Sequence, residues 1–268
     1  MDDRTLDLAP VSEAALREVE EQARATLRTH LSARKLVDVS GPHGWDHAAA
    51  NPGRVEFVDE EPAEGVRAGV RRTQPLVELR ADFELSRHEL ARVDRGADDP
   101  ELEPVVAAAR SLAWSEDRLV YYGFGPADVE GLCPSCDHTS VASEDWEDYP
   151  RLVSEGINVL RQEGVGGPYA LALSPAAFTG VAETAGGGGY PVLQHVEQIL
   201  DGPIVWAPAL AGGMILSLRG GDFELVLGRD VSLGYDSHDA DDVGLYLEES
   251  VTFRLPGPEA AVVLEPVD

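Results

Sequence analysis

Five consecutive residues, His43-Gly44-Trp45-Asp46-His47, gather two imidazoles, a carboxylate and an indole. On a helix, His43 and His47 would share one face, a spacing that suits a transition metal. Gly41-Pro42 just upstream and Gly44 inside the run break a helix there, and no third ligand stands nearby. The stretch reads instead as a tight turn pinned by a buried Trp45. A second cluster, Cys133-Pro134-Ser135-Cys136-Asp137-His138, has the spacing of half a zinc site. The chain holds no other cysteine pair, so a complete site would need another subunit; the plainer reading is a surface loop. Gly186-Gly187-Gly188-Gly189-Tyr190 is not a phosphate loop, because no Lys-Ser/Thr follows it. Four glycines make a mobile or closely approached loop. No Gly-x-Ser-x-Gly elbow, metal-ligating helix pair or Cys with a supporting His motif is present. The expectation is a chain with no catalytic and no metal residues.

Composition narrows the class further. The chain has 268 residues and is 43% hydrophobic, enough for one large domain or two modest ones. No run approaches the ~18 apolar residues of a membrane span, and the acidic opening MDDRTLDLAP has no secretory apolar region. Two cysteines make no disulfide framework, so the expected compartment is the cytosol. With 49 acids against 21 bases, the net charge is -28, and Lys35 is the one lysine. Such a surface repels nucleic acid and anionic membrane. The acids are spread along the chain, a pattern that suits a folded protein in concentrated salt, as in a halophile.

The positioning elements follow from periodicity. Leu16, Val19, Ala23, Leu27 and Leu31 recur at helical spacing over residues 11–31, with Ser12 as cap. A short β-like run at 35–39 precedes the Gly-Pro turn. Residues 54–60 and 66–72 read as two strands around an acidic tip, polar on both faces, whose packing partner must come from elsewhere in the chain or from another subunit. In 75–85, Val77, Leu79, Ala81, Phe83 and Leu85 alternate with charged residues as in a half-buried strand. A capping box at Ser86–Glu89 starts a short helix, and 101–122 is a long one, the spine of the fold. Residues 123–147 read as loop, 148–163 as helix and 169–173 as a buried strand. Ser174-Pro175 opens a helix and 191–200 forms another. The last third reads as strands at 204–206, 214–218, 222–227, 231–235, 245–255 and 261–264, with a turn at Arg219-Gly220-Gly221-Asp222.

Several blocks resemble one family. They are Leu8-Ala9-Pro10, the run from Arg34 to Trp45, Pro75-Leu76-Val77-Glu78-Leu79-Arg80-Ala81, Gly220-Gly221-Asp222-Phe223, Leu227-Gly228-Arg229-Asp230 and Leu233-Gly234-Tyr235. In order and over essentially the whole chain, they are similar to encapsulin shell proteins, also labelled linocin-type bacteriocins. The resemblance implies an α+β chain with the HK97-like phage major capsid fold. Its parts would be an N-terminal helix with the start of a peripheral domain (1–50), an extended loop (51–73), and a peripheral domain with the spine helix (74–122). An axial domain (123–210) and a β-rich return to the peripheral domain (211–268) would complete it.

The implied function is structural. Copies close into an icosahedral shell, sixty in the smallest (T=1) members. The shell encloses a cargo enzyme, a ferritin-like iron-storage ferroxidase or a dye-decolourising peroxidase, docked by its C-terminal targeting peptide. Carried over by position, the docking residues are Leu31, Arg34, Leu36, Asp38, Leu233 and Tyr235; if they do not dock a peptide, Arg34 and Asp38 would pair with each other. The loop Gly186, Gly187, Gly188, Gly189 and Tyr190 would ring a five-fold pore. Some relatives stack a flavin on a Trp at the position of His88, which lacks that ring face, so no cofactor is expected. The other classes open to the sequence are a viral major capsid protein of the same fold, for which an acidic chain with one lysine suits DNA packing poorly, and a protease- or bacteriocin-type enzyme.

Overall fold

A computed structural model describes residues 6–143, 145–186 and 189–266. Helix α1 (Glu13–His30) begins where expected, with Ser12 Oγ accepting the Ala15 N–H at 3.1 Å. The strands β1 (Asp38–Ser40), β2 (Ala49–Ala50), β3 (Val55–Phe57), β4 (Gly69–Arg71), β5 (Gln74–Pro75) and β6 (Val77–Ser86) follow. Helices α2 (Arg87–Asp94) and α3 (Glu103–Tyr122) come next, then β7 (Gly123–Phe124), β8 (Val129–Glu130), the short α4 (Leu132–Ser135) and β9 (His138–Val141). Helix α5 (Tyr149–Gln162), strand β10 (Tyr169–Leu173), and helices α6 (Pro175–Glu183) and α7 (Val192–Leu200) lead to the final strands. These are β11 (Ile204–Trp206), β12 (Gly213–Ser217), β13 (Glu224–His238), β14 (Asp242–Arg254) and β15 (Ala261–Glu265).

Two sheets organise these elements. The first has the order β1-β13-β14-β6. Its apolar face is the alternating side of β6 and β14, where Phe83, Leu85, Leu245 and Leu247 are buried under α1 and α3. The second has the order β11-β10-β12-β15-β9. Its inner strands β10, β12 and β15 are buried at nearly every position, which is why their sequences read as unbroken apolar runs. Helix α3 joins the two cores, with Ala109 and Leu112 in the first and Leu119, Val120 and Tyr121 in the second.

Several expectations are corrected. The β-like run at 35–39 starts as a 3-10 turn, Ala33–Lys35, and only Asp38 begins a strand. Trp45 is 62% exposed, not buried; the Arg229 guanidinium lies over its ring at 4.3 Å and satisfies the ring face at the surface. The stretch 123–147 is not all loop: β9 pairs in parallel with β15 as an edge of the second sheet. Four residues are too short to give a periodic signal. The strands expected at 222–227 and 231–235 are one, β13, whose register shifts between Leu227 and Ser232 interrupt the alternation as bulges do. The segment 211–268 is divided: β13 and β14 lie in the first sheet, β12 and β15 in the second. The hairpin β3–β4 is present and shorter than expected, and residues 53–67 are exposed throughout.

Candidate functional site

A groove of about 270 Å³ runs between α1 and β13. Its walls are Ala23, Leu27 and Leu31 from one face of α1, and Val231, Leu233 and Leu247 from the sheet. Glu20, Arg24, Arg28 and Asp230 rim it, and Arg34 closes one end. The helical spacing that buries Val19, Ala23 and Leu27 thus leaves the edge of the same stripe facing this opening. The floor is apolar and the rim charged, which suits an extended or helical segment with apolar side chains at regular intervals.

Three of the six expected docking residues, Leu31, Arg34 and Leu233, line this groove. Leu36 and Asp38 line a neighbouring concavity of about 170 Å³ against Leu218, Gly220 and Phe223, and Arg34 borders both. Asp38 accepts the Gly221 N–H at 2.6 Å, which pins the turn where Gly220 and Gly221 both have positive φ. It is therefore not the partner of Arg34. Tyr235 lies two residues beyond Leu233 in unbroken register with β14, on the same side of the strand. Its hydroxyl meets His238 Nδ1 at 2.5 Å.

Arg34 is held by carboxylates from three distant elements. Its Nε reaches both oxygens of Glu116 on α3 at 2.9 and 3.0 Å, and its Nη2 reaches Glu249 on β14 at 2.9 Å. Its Nη1 reaches Asp230 on β13 at 2.8 Å. Burial alone would lower its pKa; the hydrogen bonds and charge of Glu116, then Glu249 and Asp230, outweigh that and raise it. One guanidinium cannot neutralise two fully buried carboxylates. Glu249 is the one pushed far towards its protonated form, by burial first and by the charge of Glu116 second. Next to it, Asp117 accepts the Ser32 N–H at 3.0 Å, the Ala33 N–H at 2.9 Å and the Ser32 hydroxyl. Burial pushes Asp117 up to about 6 in spite of these donors. The pair Glu116–Asp117 thus ties the end of α1 and the turn after it to the spine helix.

Reading the sequence for function missed these three acids, yet a signal existed. Glu116 lies four residues after Leu112 and three before Leu119, inside the buried stripe of α3. Glu249 alternates with Leu245, Leu247, Val251 and Phe253 on the buried face of β14.

The other candidates fall outside the groove. His43 and His47 do come together, with ring centroids 4.7 Å apart, and His43 Nε2 meets Ser40 Oγ at 3.0 Å. Among the described residues no group of three or more His, Cys, Asp or Glu could hold a metal ion. Burial pushes the Cys133 thiol up to about 11 and the Cys136 thiol up to about 12, which disfavours the thiolate that metal binding or exchange needs. Gly187 and Gly188 lie outside the described residues. Around them the loop closes on itself: Gly186 N–H donates to Tyr190 O, Gly189 N–H to Gly186 O, each at 2.9 Å, and Tyr190 Oη accepts from Gln198 at 2.9 Å. His88 is exposed in the first turn of α2, its N–H donating to Ser86 Oγ at 3.2 Å. No helix among the described residues is long and apolar enough to cross a membrane.

The sequence matches the family described as "Encapsulating protein for peroxidase" over residues 1–252. It is 48% identical over 270 residues to a type 1 encapsulin shell protein of Rhodospirillum rubrum, covering 98% of this chain and 96% of that one. It is 44% identical over 259 residues to a type 1 encapsulin shell protein of Mycobacterium tuberculosis, covering 96% and 97%. In fold it is similar to the virus-like particle from Pyrococcus furiosus, at a TM-score of 0.65 and 19% identity over 93% of this chain and 98% of that one. It is also similar to the capsid of Myoviridae phage XM1, at a TM-score of 0.58 and 12% identity over 88% and 91%. The phage likeness extends to the fold alone, which is HK97-like, whereas the sequence match spans nearly the whole chain. The chain belongs to the encapsulin shell-protein family.

Proposed function

We propose that copies of this chain close into an icosahedral shell of the T=1 class, sixty subunits, that carries no catalytic centre and encloses a cargo enzyme. The cargo is a ferritin-like ferroxidase or a peroxidase, held through its C-terminal peptide in the groove between α1 and β13. The observation that carries the reading is that groove: apolar walls with a charged rim on an element the rest of the fold leaves open on one side. Leu31 and Leu233 supply apolar contact and Arg34, its guanidinium already matched by Glu116, Glu249 and Asp230, closes one end, while Leu36, Asp38 and Tyr235 flank the groove and hold its margins. Val231 is half-buried at the groove wall, so a long charged side chain there would fill the opening without entering the core. Val231→Arg is expected to leave particles intact by negative-stain microscopy and to lower co-purified cargo severalfold. Cargo at an undiminished ratio with this variant would remove the groove from the docking site.

The reading includes a five-fold pore bordered by Gly186, Gly187, Gly188, Gly189 and Tyr190, no flavin at His88, a cytoplasmic location and a halophilic source. The charge of -28 supports the last. Like charges at ~4 Å repel by about 1 kcal/mol even in water, and the screening length falls from ~30 Å at 0.01 M salt to ~3 Å at 1 M. Particles are expected to persist in molar KCl and to loosen on dialysis to ~0.01 M salt, followed by light scattering. Unchanged size and melting after dialysis would separate the acidity from assembly.

A further inference from the structure

Lys35 is the one lysine among 268 residues, and it stands beside the groove. Its backbone is fixed. Asp117 accepts the Ser32 and Ala33 N–H groups, and the 3-10 turn closes with Lys35 N–H on Ser32 O at 3.1 Å and Leu36 N–H on Ala33 O at 2.8 Å. Leu36 is buried, while Lys35 on the same turn is exposed. The Lys35 ammonium has no hydrogen bond or ion pair among the described residues.

The neighbouring cations are already matched. Arg34 is shared by Glu116, Glu249 and Asp230, Arg219 holds Asp222 through bonds of 2.8 and 2.7 Å, and Arg24 meets Glu20 at 3.4 Å. Asp38 lines the same concavity as Lys35, but its carboxylate takes the Gly221 N–H. The α1–β13 groove and the concavity of about 170 Å³ beside Lys35 both border on Arg34, so together they form one track. Leu27, Leu31 and Leu233 wall its first part, and Leu218, Gly220 and Phe223 enclose its second. An extended segment in this track passes from apolar walls to an unmatched ammonium. A peptide that ends a chain carries one anion whatever its sequence, its α-carboxylate.

We propose that Lys35 holds the α-carboxylate of the docked C-terminal peptide, which runs from the α1–β13 groove past Arg34 into the second concavity. The proposal rests on the docking reading and adds to it a direction and an end-specific contact. A chain end arrives on a flexible segment. A compact ammonium with three donors on a four-carbon stem meets it from a range of directions, whereas the planar fork of Arg34 is taken up by fixed carboxylates. Lys35 thereby distinguishes a chain end from an internal segment with the same apolar pattern.

A fluorescent protein ending in a designed tail, co-expressed with the full-length chain, tests this. The tail repeats Leu among Gly and Ser, so its α-carboxylate is its one charge. Lys35→Gln is expected to leave particles intact by negative-stain microscopy and to lower retained fluorescence about two- to fivefold at ~0.15 M salt, the scale of an exposed ion pair. Lys35→Arg keeps most of the retention. Extending the tail by Gly-Ser-Gly-Ser moves the carboxylate by ~13 Å and lowers retention in the wild type to the Lys35→Gln level, with no further loss in that variant. Lys35 is also the one side-chain amine that a carbodiimide can couple. In wild-type particles it is expected to join the last residue of the tail as an amide, with loss of water, read by mass spectrometry. Equal retention in the wild type and Lys35→Gln, or retained tail that gives no Lys35 cross-link, overturns the proposal. So does an extension that costs as much in Lys35→Gln as in the wild type; if Arg28→Gln then removes that sensitivity, the chain end lies at the groove rim instead. In each case release of the tail by Val231→Arg leaves the docking reading standing. Wild-type particles that retain no tail, or a tail that Val231→Arg does not release, overturn that reading itself.

Discussion

Glu116 and Glu249 meet Arg34 with no side-chain surface exposed on either acid, whereas Glu56, Asp82 and Glu155 meet their arginines with more than half of theirs in water. The chemistry is the same and the consequences differ. At the surface an ion pair exchanges good hydration for a contact that water and salt screen, and it contributes ~0–1 kcal/mol. In the interior neither partner can return to water without opening the fold, so each group depends on the other for its charge. The large negative charge of this chain is therefore mostly a property of its solvation, and a few interior acids fix its geometry. Arg34 joins α1, α3, β13 and β14 at the end of the groove, and Asp117 holds the turn that follows α1.

The sharpest way to break this contrast is to remove the cation from the interior cluster. Arg34→Ala leaves Glu116 and Glu249 buried together without a counter-charge, and loses about 3–5 kcal/mol by the general cost of an orphaned buried ion. A thermal melt of the particle-free subunit measures it. Arg34→Lys keeps the charge but not the fork that spans Glu116, Glu249 and Asp230, so it should recover only part of the loss. Wild-type stability in Arg34→Ala would mean that both acids are already neutral.

The second test is pH. Asp117 titrates at about 6 in the folded chain, against ~3.9 when unfolded, so the folded state holds the proton more tightly. The stability this contributes is full below pH ~4 and is lost as pH rises to about 6, an amount of the order of 3 kcal/mol. Glu249, raised by burial and by Glu116, carries a decline of the same sign to higher pH. Asp117→Asn removes the Asp117 part of the slope. It also costs ~1–3 kcal/mol, because an amide nitrogen replaces one of the oxygens that accept Ser32 N–H and Ala33 N–H. An unchanged slope between pH 4 and 6 in this variant would assign the titration to the surface acids.

Glu249→Gln probes the same cluster more gently. Glu249 is the acid pushed towards its neutral form, and glutamine keeps the oxygen that accepts from Arg34. The expected loss at pH 7 is under ~1 kcal/mol. A loss matching that of Arg34→Ala would show that both Glu116 and Glu249 are ionised.

How much of this was legible follows from what each feature depends on. Helix α1, strand β6 and helix α3 declare themselves because one apolar stripe repeats within one segment, and Ser12 caps α1 as its position suggests. The groove was legible only in part. Leu31, Arg34 and Leu233 came from resemblance, but the partners of Arg34 are 82, 196 and 215 residues away, and nothing local announces them. Trp45 misled because an aromatic between glycine and aspartate carries no period, and its cation partner Arg229 comes from β13. The division of 211–268 between two sheets was hidden for a similar reason: β12 and β15 are short apolar runs, and such runs do not say which sheet they join.

The smallest expected effect lies at the surface, where the comparison predicts near silence. Arg151 meets Glu155 at 2.9 Å and Asp148 at 3.3 Å, and all three side chains are exposed. It stands in the first turn of α5, where the helix dipole disfavours a cation. With Arg before Glu, the i,i+4 pair has the weaker of the two orientations. Glu155→Gln removes one partner while Asp148 at the N-cap keeps Arg151 compensated, so the favourable and unfavourable terms nearly cancel. The melting temperature is expected to stay within ~1 °C of the wild type at low salt. Any residual difference should vanish at 1 M salt, where the screening length of ~3 Å is no longer than the contact itself. If Glu155→Gln instead lowered the melting temperature as Arg34→Ala does, and the loss persisted in salt, surface acids would be holding the fold together. The distinction between solvating and structural carboxylates would then fail for this chain.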